Sequence, residues 1–137
     1  MSTPFRVTRR VEFHDTDMAG IVHFSNFFRY MEFAEVEFLR SRGLSVAWRQ
    51  TDGERIGFPR VSAACDYRRP ARFEDELEIT VVLARLGPKS VSYEFEFACH
   101  GEQVANGRVT AVCCRKLLDG GLESIEIPAD LRAKLEA

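Results

Sequence analysis

Two aspartates, Asp15 and Asp17, lie in a run of loop-forming residues directly ahead of a segment with helical periodicity. A helix start presents backbone N–H groups that have no carbonyl partner in a preceding turn. Negative charge is favoured there, whether on a carboxylate or on an oxygen that becomes an oxyanion during reaction. One carboxylate can attack a carbonyl carbon, or activate a water that attacks it, while the amides stabilise the developing oxyanion. Those two components suffice for acyl transfer or hydrolysis without a Ser–His couple. Asp is also common in turns and caps, so spacing alone leaves a purely structural reading open.

A rival carboxylate sits inside the helical segment. At 100° per residue, Glu35 falls between Met31 and Leu39, within the apolar stripe. Burial there raises a carboxyl pKa, although a paired, satisfied buried glutamate is the competing explanation. Glu32 lies at the stripe's edge and reads as structural; Glu37 and Arg40 read as solvated surface.

The elements that must position these groups follow from periodicity. Phe5 to Phe13 alternates apolar and polar residues, broken only at Arg9, and predicts a half-buried strand. His14 to His23, Asp-rich and carrying Gly20, predicts a loop. Phe24 to Arg42 changes period: Phe24, Phe27, Met31, Ala34 and Phe38 share one stripe, widened by Phe28 and Leu39. Ser25 or Asn26 can cap its start and Gly43 its end. A helix of that length runs for about 28 Å, and one apolar on several sides is expected to be wrapped by a sheet. Ser45 to Gly57 is a mixed connector with a possible helical turn at Val46-Ala47-Trp48.

Strands are then predicted at Arg60–Arg69, Glu76–Arg85, Ser90–Cys99 and Gln103–Leu118, with turns at Leu86–Lys89, His100–Glu102 and Asp119–Gly121. Pro128 suits the first position of a short C-terminal helix through Leu131 and Leu135. One strand, one long helix and four antiparallel strands make an α+β fold with the helix on one sheet face.

The chain has 137 residues, which suits a single domain over 1–137. Nineteen basic against twenty-one acidic residues leave a net charge of −2, so nucleic acid is not an expected partner. No apolar run reaches the roughly 18–20 residues of a membrane-spanning helix. The first residues lack an apolar signal core, which predicts a cytoplasmic protein. Its four cysteines, Cys65, Cys99, Cys113 and Cys114, form no C-x-x-C pair and read as small buried, reduced thiols. With His14, His23 and His100 scattered, no metal site is expected, and nothing calls for a cofactor. The eleven phenylalanines suggest an aromatic-rich core or pocket.

The stretch Val11-Glu12-Phe13-His14-Asp15-Thr16-Asp17-Met18-Ala19-Gly20-Ile21-Val22-His23-Phe24-Ser25-Asn26 resembles the active-site segment of hotdog-fold acyl-CoA thioesterases. The similarity is to the 4-hydroxybenzoyl-CoA thioesterase family of the Asp-loop type and its bacterial short-chain acyl-CoA relatives. Its motif is D-x-D-x-x-G-x-V followed by an aromatic-rich helix. Pro59, Tyr67–Pro70, Asp75-Glu76-Leu77, Lys89-Ser90 and Ile127–Asp130 extend the likeness along the chain. The resemblance implies a five-stranded antiparallel sheet wrapped around one long central helix.

It also implies that Asp17 is the catalytic carboxylate, as nucleophile or as general base for water, and that the Phe24 backbone amide at the helix start is the oxyanion donor. Gly20 matches the glycine that lets the loop turn tightly near the thioester. Many bacterial relatives carry histidine where this chain has Phe24. Here His23 lies one residue earlier, where relatives often have Tyr or Trp, and a loop histidine facing neighbouring backbone is its competing reading. His14 inherits no role. A second thioesterase class of this fold uses a helix carboxylate, which keeps Glu35 in view.

Coenzyme A phosphates need cations. Lys89-Ser90 matches the segment that meets the nucleotide end, with Arg68, Arg69 and Arg72 as a second basic group; an ordinary exposed cation is the alternative for each. Phe24, Phe27, Phe28 and Phe58 could line an acyl pocket, with core packing as the alternative. Hotdog protomers join edge to edge, so the resemblance implies a homodimer or homotetramer whose active site draws on both chains. The expected reaction converts a small acyl- or aroyl-CoA to the free acid and CoA. A non-catalytic acyl-CoA or acyl-carrier-protein thioester binder of the same fold is the alternative. A dehydratase or hydratase ranks last, because none of the three histidines lies in the helix.

Overall fold

The computed structural model describes residues 3–51 and 54–137. The elements, in chain order, are β1 (Phe5–Arg10), a single 3-10 turn (Phe13–Asp15), α1 (Asn26–Ser41), β2 (Arg49–Thr51), β3 (Glu54–Gly57), β4 (Arg60–Tyr67), β5 (Glu76–Leu86), β6 (Ser90–Cys99), β7 (Glu102–Val112), β8 (Cys114–Lys116), β9 (Leu122–Ser124) and α2 (Ala129–Glu136). The main sheet is five-stranded, in the order β1-β5-β6-β7-β4, and every adjacent pair is antiparallel. Its inward face alternates with solvent: Leu77, Ile79, Val81 and Leu83 on β5, and Val91, Tyr93, Phe95 and Phe97 on β6, are buried. Phe27, Met31, Ala34 and Phe38 of α1 belong to the same core. The α+β hotdog arrangement expected from the sequence is therefore present.

Close approach of helix and sheet depends on Gly107. A Cβ there would stand 2.6 Å from Met31 Sδ and 2.8 Å from the Ala64 carbonyl oxygen. Thermal or denaturant unfolding of Gly107→Ala should show a loss of about 2 kcal/mol. Unchanged stability would mean that α1 does not press on β7 as described.

Several boundaries differ from expectation. β1 stops at Arg10, although Val11 and Phe13 keep the alternation. Val11 bonds through its N–H to the Asp75 carbonyl, and its carbonyl accepts the Glu74 N–H, after which Glu12 and Asp15 cap each other's backbone and close the 3-10 turn. α1 begins at Asn26 rather than Phe24. It ends near Gly43, whose φ of +72° suits the left-handed conformation glycine adopts without strain. Residues 46 and 47 form a bend, not a helical turn, and Trp48 leads into β2. The expected final strand is divided at Cys113, and β2, β3, β8 and β9 form a second small sheet. Pro128 occupies the cap position of α2, one residue ahead of the helix.

Candidate active site

Residues 15–26 form a narrow loop fastened at both ends. Thr16 and Val22 form a bridge, Asp17 N–H donates to the Ile21 carbonyl at 2.9 Å, and Val22 N–H donates to the Ala71 carbonyl at 2.8 Å. The tip turns through Gly20, whose φ is +80° and whose absent Cβ would meet nothing within 4 Å. Glycine is therefore needed there for its backbone conformation rather than for space.

The two aspartates have different tasks. Asp15 is 5% exposed. Its Oδ2 accepts from the Glu12 N–H at 2.9 Å and from the Tyr30 hydroxyl at 2.9 Å. Its backbone carbonyl accepts from the His23 N–H at 2.9 Å and from Asn26 Nδ2 at 2.7 Å. Burial first, and then the Asp15 carboxylate, hold the Tyr30 phenol well above its ordinary pKa, so it stays a hydrogen-bond donor. Asp15 thus ties the loop to the first turns of α1. Asp17 is half-buried; its Oδ1 accepts from the Ala19 N–H at 2.9 Å, and no second hydrogen bond holds its carboxylate among the described residues. One oxygen is fixed and the other is available to react.

Residues 23–25 lead into α1 through i→i+3 bonds: Asn26 N–H to the His23 carbonyl, Phe27 N–H to the Phe24 carbonyl and Phe28 N–H to the Ser25 carbonyl. This tighter turn explains the later start of α1. No carbonyl precedes it for the Phe24 N–H, which has no acceptor among the described residues. Phe24 thus lies two residues outside α1, yet its amide is a free donor at the mouth of the helical segment. Its ring is 61% exposed. His23 stacks on that ring with centroids 4.7 Å apart. His23 Nδ1 lies 2.8 Å from Ser25 Oγ and accepts the Ser25 N–H at 3.3 Å, so the imidazole caps the entry to α1.

The remaining expected site residues divide among three places. Phe27 is packed in the core against Tyr30, Tyr67 and Phe97. Phe58 lines a cavity of about 290 Å³ together with Glu35 and Trp48. Lys89 and Ser90 follow the β5–β6 turn, where the Gly87 N–H donates to the Ser90 carbonyl at 2.8 Å and the Lys89 carbonyl accepts from Cys113 N–H at 2.7 Å. A second cation meets this turn: Arg132 of α2 donates to the Gly87 carbonyl at 2.5 Å. Sequence reasoning missed Arg132, because only the docking of α2 brings it there. Arg69 is engaged with Glu102 at 3.1 Å.

Glu35 is 3% exposed and is gripped by Arg60, whose Nε and Nη2 both donate to its Oε1, at 3.0 and 2.8 Å. Burial pushes its pKa up more than Arg60 pulls it down. Burial also pushes the Cys65 and Cys113 thiols up to about 11, which leaves neither as a ready nucleophile at neutral pH. Histidine and cysteine, scattered in sequence, do meet once in space: Asp75, Cys99 and His100 present ligand-type atoms within 4.8 Å of one another. No helix among the described residues is long and apolar enough to cross a membrane.

Comparison with known proteins extends this geometry. The model of the thioesterase-like superfamily matches residues 11–135. A 4-hydroxybenzoyl-CoA thioesterase from Pseudomonas sp. (strain CBS-3) is 31% identical over 136 residues, covering 95% of this chain and 96% of that one. A 1,4-dihydroxy-2-naphthoyl-CoA hydrolase from Prochlorococcus marinus (strain MIT 9313) is 36% identical over 103 residues, covering 71% of this chain and 68% of that protein. An Asp-to-Asn variant of a 4-hydroxybenzoyl-CoA thioesterase, solved in complex with 4-hydroxybenzoyl-CoA, superposes with a TM-score of 0.84 at 27% identity, covering 96% of this chain and 98% of that one.

Proposed function

The chain belongs to the thioesterase-like superfamily, and from that premise we propose that it hydrolyses a small acyl- or aroyl-CoA thioester to the free acid and CoA. The observation that carries this reading is the pairing within one loop of a carboxylate with a free oxygen, Asp17, and an unpartnered N–H, that of Phe24. Asp17 either attacks the thioester carbonyl carbon or takes a proton from the water that attacks it. The carbonyl oxygen gains negative charge as the tetrahedral species forms, and the Phe24 N–H stabilises it. Collapse breaks the carbon–sulfur bond, and the CoA thiolate leaves and is protonated. On the nucleophilic route, water then cleaves the anhydride formed on Asp17. The 4-hydroxybenzoyl-CoA and 1,4-dihydroxy-2-naphthoyl-CoA relatives support a CoA thioester as substrate.

Lys89 and Ser90 at the β5–β6 turn, joined by Arg132, would receive CoA phosphates. Lys89→Ala is expected to raise KM by about tenfold with little change in kcat. An unchanged KM would place the nucleotide elsewhere. The minimal assembly in this reading is a homodimer, because β4 is an edge strand exposed along nearly all its length. Pairing with a second copy would satisfy its free backbone groups. Equimolar acid and free CoA from at least one small acyl- or aroyl-CoA tests the function. Tight, saturable binding of a non-hydrolysable CoA thioester analogue, with no turnover of any ester, would instead support a thioester-binding protein.

A further inference from the structure

The cavity of about 290 Å³ lies under the 43–49 connector, toward the opposite end of α1 from the Asp17 loop. Leu39, Leu44, Ile56, Phe58 and Trp48 give it a largely apolar wall. Five polar side chains interrupt that wall: Ser45 and Lys134, both exposed, and Glu35, Arg49 and Tyr93, which are more deeply placed. Glu35 and Tyr93 are 3% and 2% exposed. Arg60 occupies only Oε1 of Glu35. Among the described residues, neither Glu35 Oε2 nor the Tyr93 hydroxyl has a hydrogen-bond partner. Arg49, also lining the cavity, carries a buried Nε without a partner, while its Nη1 is held by Asp130 at 2.5 Å. A fully buried polar atom such as Arg49 Nε is normally satisfied; with Glu35 Oε2 and the Tyr93 hydroxyl unused on the same cavity, it points to something that enters.

The chemistry of the entrant follows from the groups that meet it. A hydroxyl can donate to Glu35 Oε2 and accept from Tyr93 in one contact. A carboxylate would meet Arg49 and the exposed Lys134 but would also set a second acidic group against the Glu35 carboxyl in an apolar chamber, and an ammonium would carry its charge toward Arg60 and Arg49; a neutral hydroxyl meets neither conflict. We propose that this cavity is a binding site for a compact apolar group bearing one neutral hydroxyl, an alcohol or a phenol, held between Glu35 and Tyr93 with its apolar body against Trp48. The group has two sources, a free molecule or the acyl part of a thioester presented by a second copy of this chain. The chain's own Asp17 loop does not supply it. Glu35 lies about 14 Å along α1 from Asn26, and the fully buried Tyr30, Met31 and Ala34 fill the interval.

Trp48 is the chain's single tryptophan and reports occupancy directly. Its emission is titrated with 4-ethylphenol, ethylbenzene and 4-ethylbenzoate. The phenol is expected to bind about tenfold more tightly than either analogue. Tyr93→Phe, which keeps the ring and removes the hydroxyl, and Glu35→Gln should each cut that preference to about threefold or less. Equal affinity for the three probes in the wild type, no Trp48 response to the phenol, or a preference retained in both variants would overturn the proposal. None of these readings requires hydrolysis, so the site stands or falls separately from the thioesterase reading. Competition between the phenol and a hydrolysed thioester would identify the acyl group as the source; binding of the phenol without competition would identify a free molecule.

Discussion

Asp17→Asn should lower thioester hydrolysis by about a thousandfold while leaving the protein folded. The amide oxygen of asparagine can still accept the Ala19 N–H that now donates to Asp17 Oδ1 at 2.9 Å, so the loop keeps its turn. What disappears is the charge and basicity of the free oxygen, the only part of the group that attacks or takes a proton. Stability should stay within about 0.5 kcal/mol of wild type. Rates by thiol release and unfolding by circular dichroism, measured on the same preparation, separate lost chemistry from lost structure. Near-wild-type turnover would remove Asp17 from the mechanism and return attention to Glu35, the buried carboxylate of α1.

Arg60→Ala should produce a large change in stability, and one that depends on pH. Glu35 has a raised pKa in the folded state because burial outweighs the opposing pull of Arg60. The folded chain therefore holds the Glu35 proton more tightly than the unfolded chain does. That contribution is complete below the ordinary glutamate range and is lost as pH rises through the folded-state value. Removing Arg60 takes away the only influence that favours the buried carboxylate's charged form strongly, so the loss on raising pH must grow. With Arg60 itself one-third exposed, the added cost at about pH 8 should be about 2 kcal/mol, and distinctly smaller at about pH 4. Denaturant unfolding of both proteins at the two pH values checks this. A deficit independent of pH would mean that Glu35 does not change protonation between the folded and unfolded chains in that range.

The parts of the molecule that could be read from sequence are those with a long or specific signal. The α1 stripe, the alternation in β5 and β6, and the D-x-D-x-x-G-x-V loop each repeat or cluster enough to announce themselves. The second sheet did not, because β2, β8 and β9 have three residues each and β3 has four, too few for a period to show. Alternation overextends β1, because parity continues through Val11 and Phe13 while the pairing partner changes to the 74–75 turn. The division of labour between Asp15 and Asp17 also lay outside the pattern: it depends on the Tyr30 hydroxyl and the Glu12 N–H, which reach only Asp15. Arg132 reaches the Lys89 turn only after α2 docks. Tyr93 looked like one more alternating strand residue, and its hydroxyl gained meaning from the cavity it faces.

We propose that this loop hydrolyses CoA thioesters through Asp17. Free-thiol release from a panel of benzoyl-type, short-chain and long-chain acyl-CoAs, with wild type and Asp17→Asn run in parallel, tests it most directly. The expected result is release from at least one ester by the wild type, near-complete loss in the variant, and undiminished binding of that ester by the variant. Release that survives in Asp17→Asn, or no release from any ester by a correctly folded wild type, would contradict it.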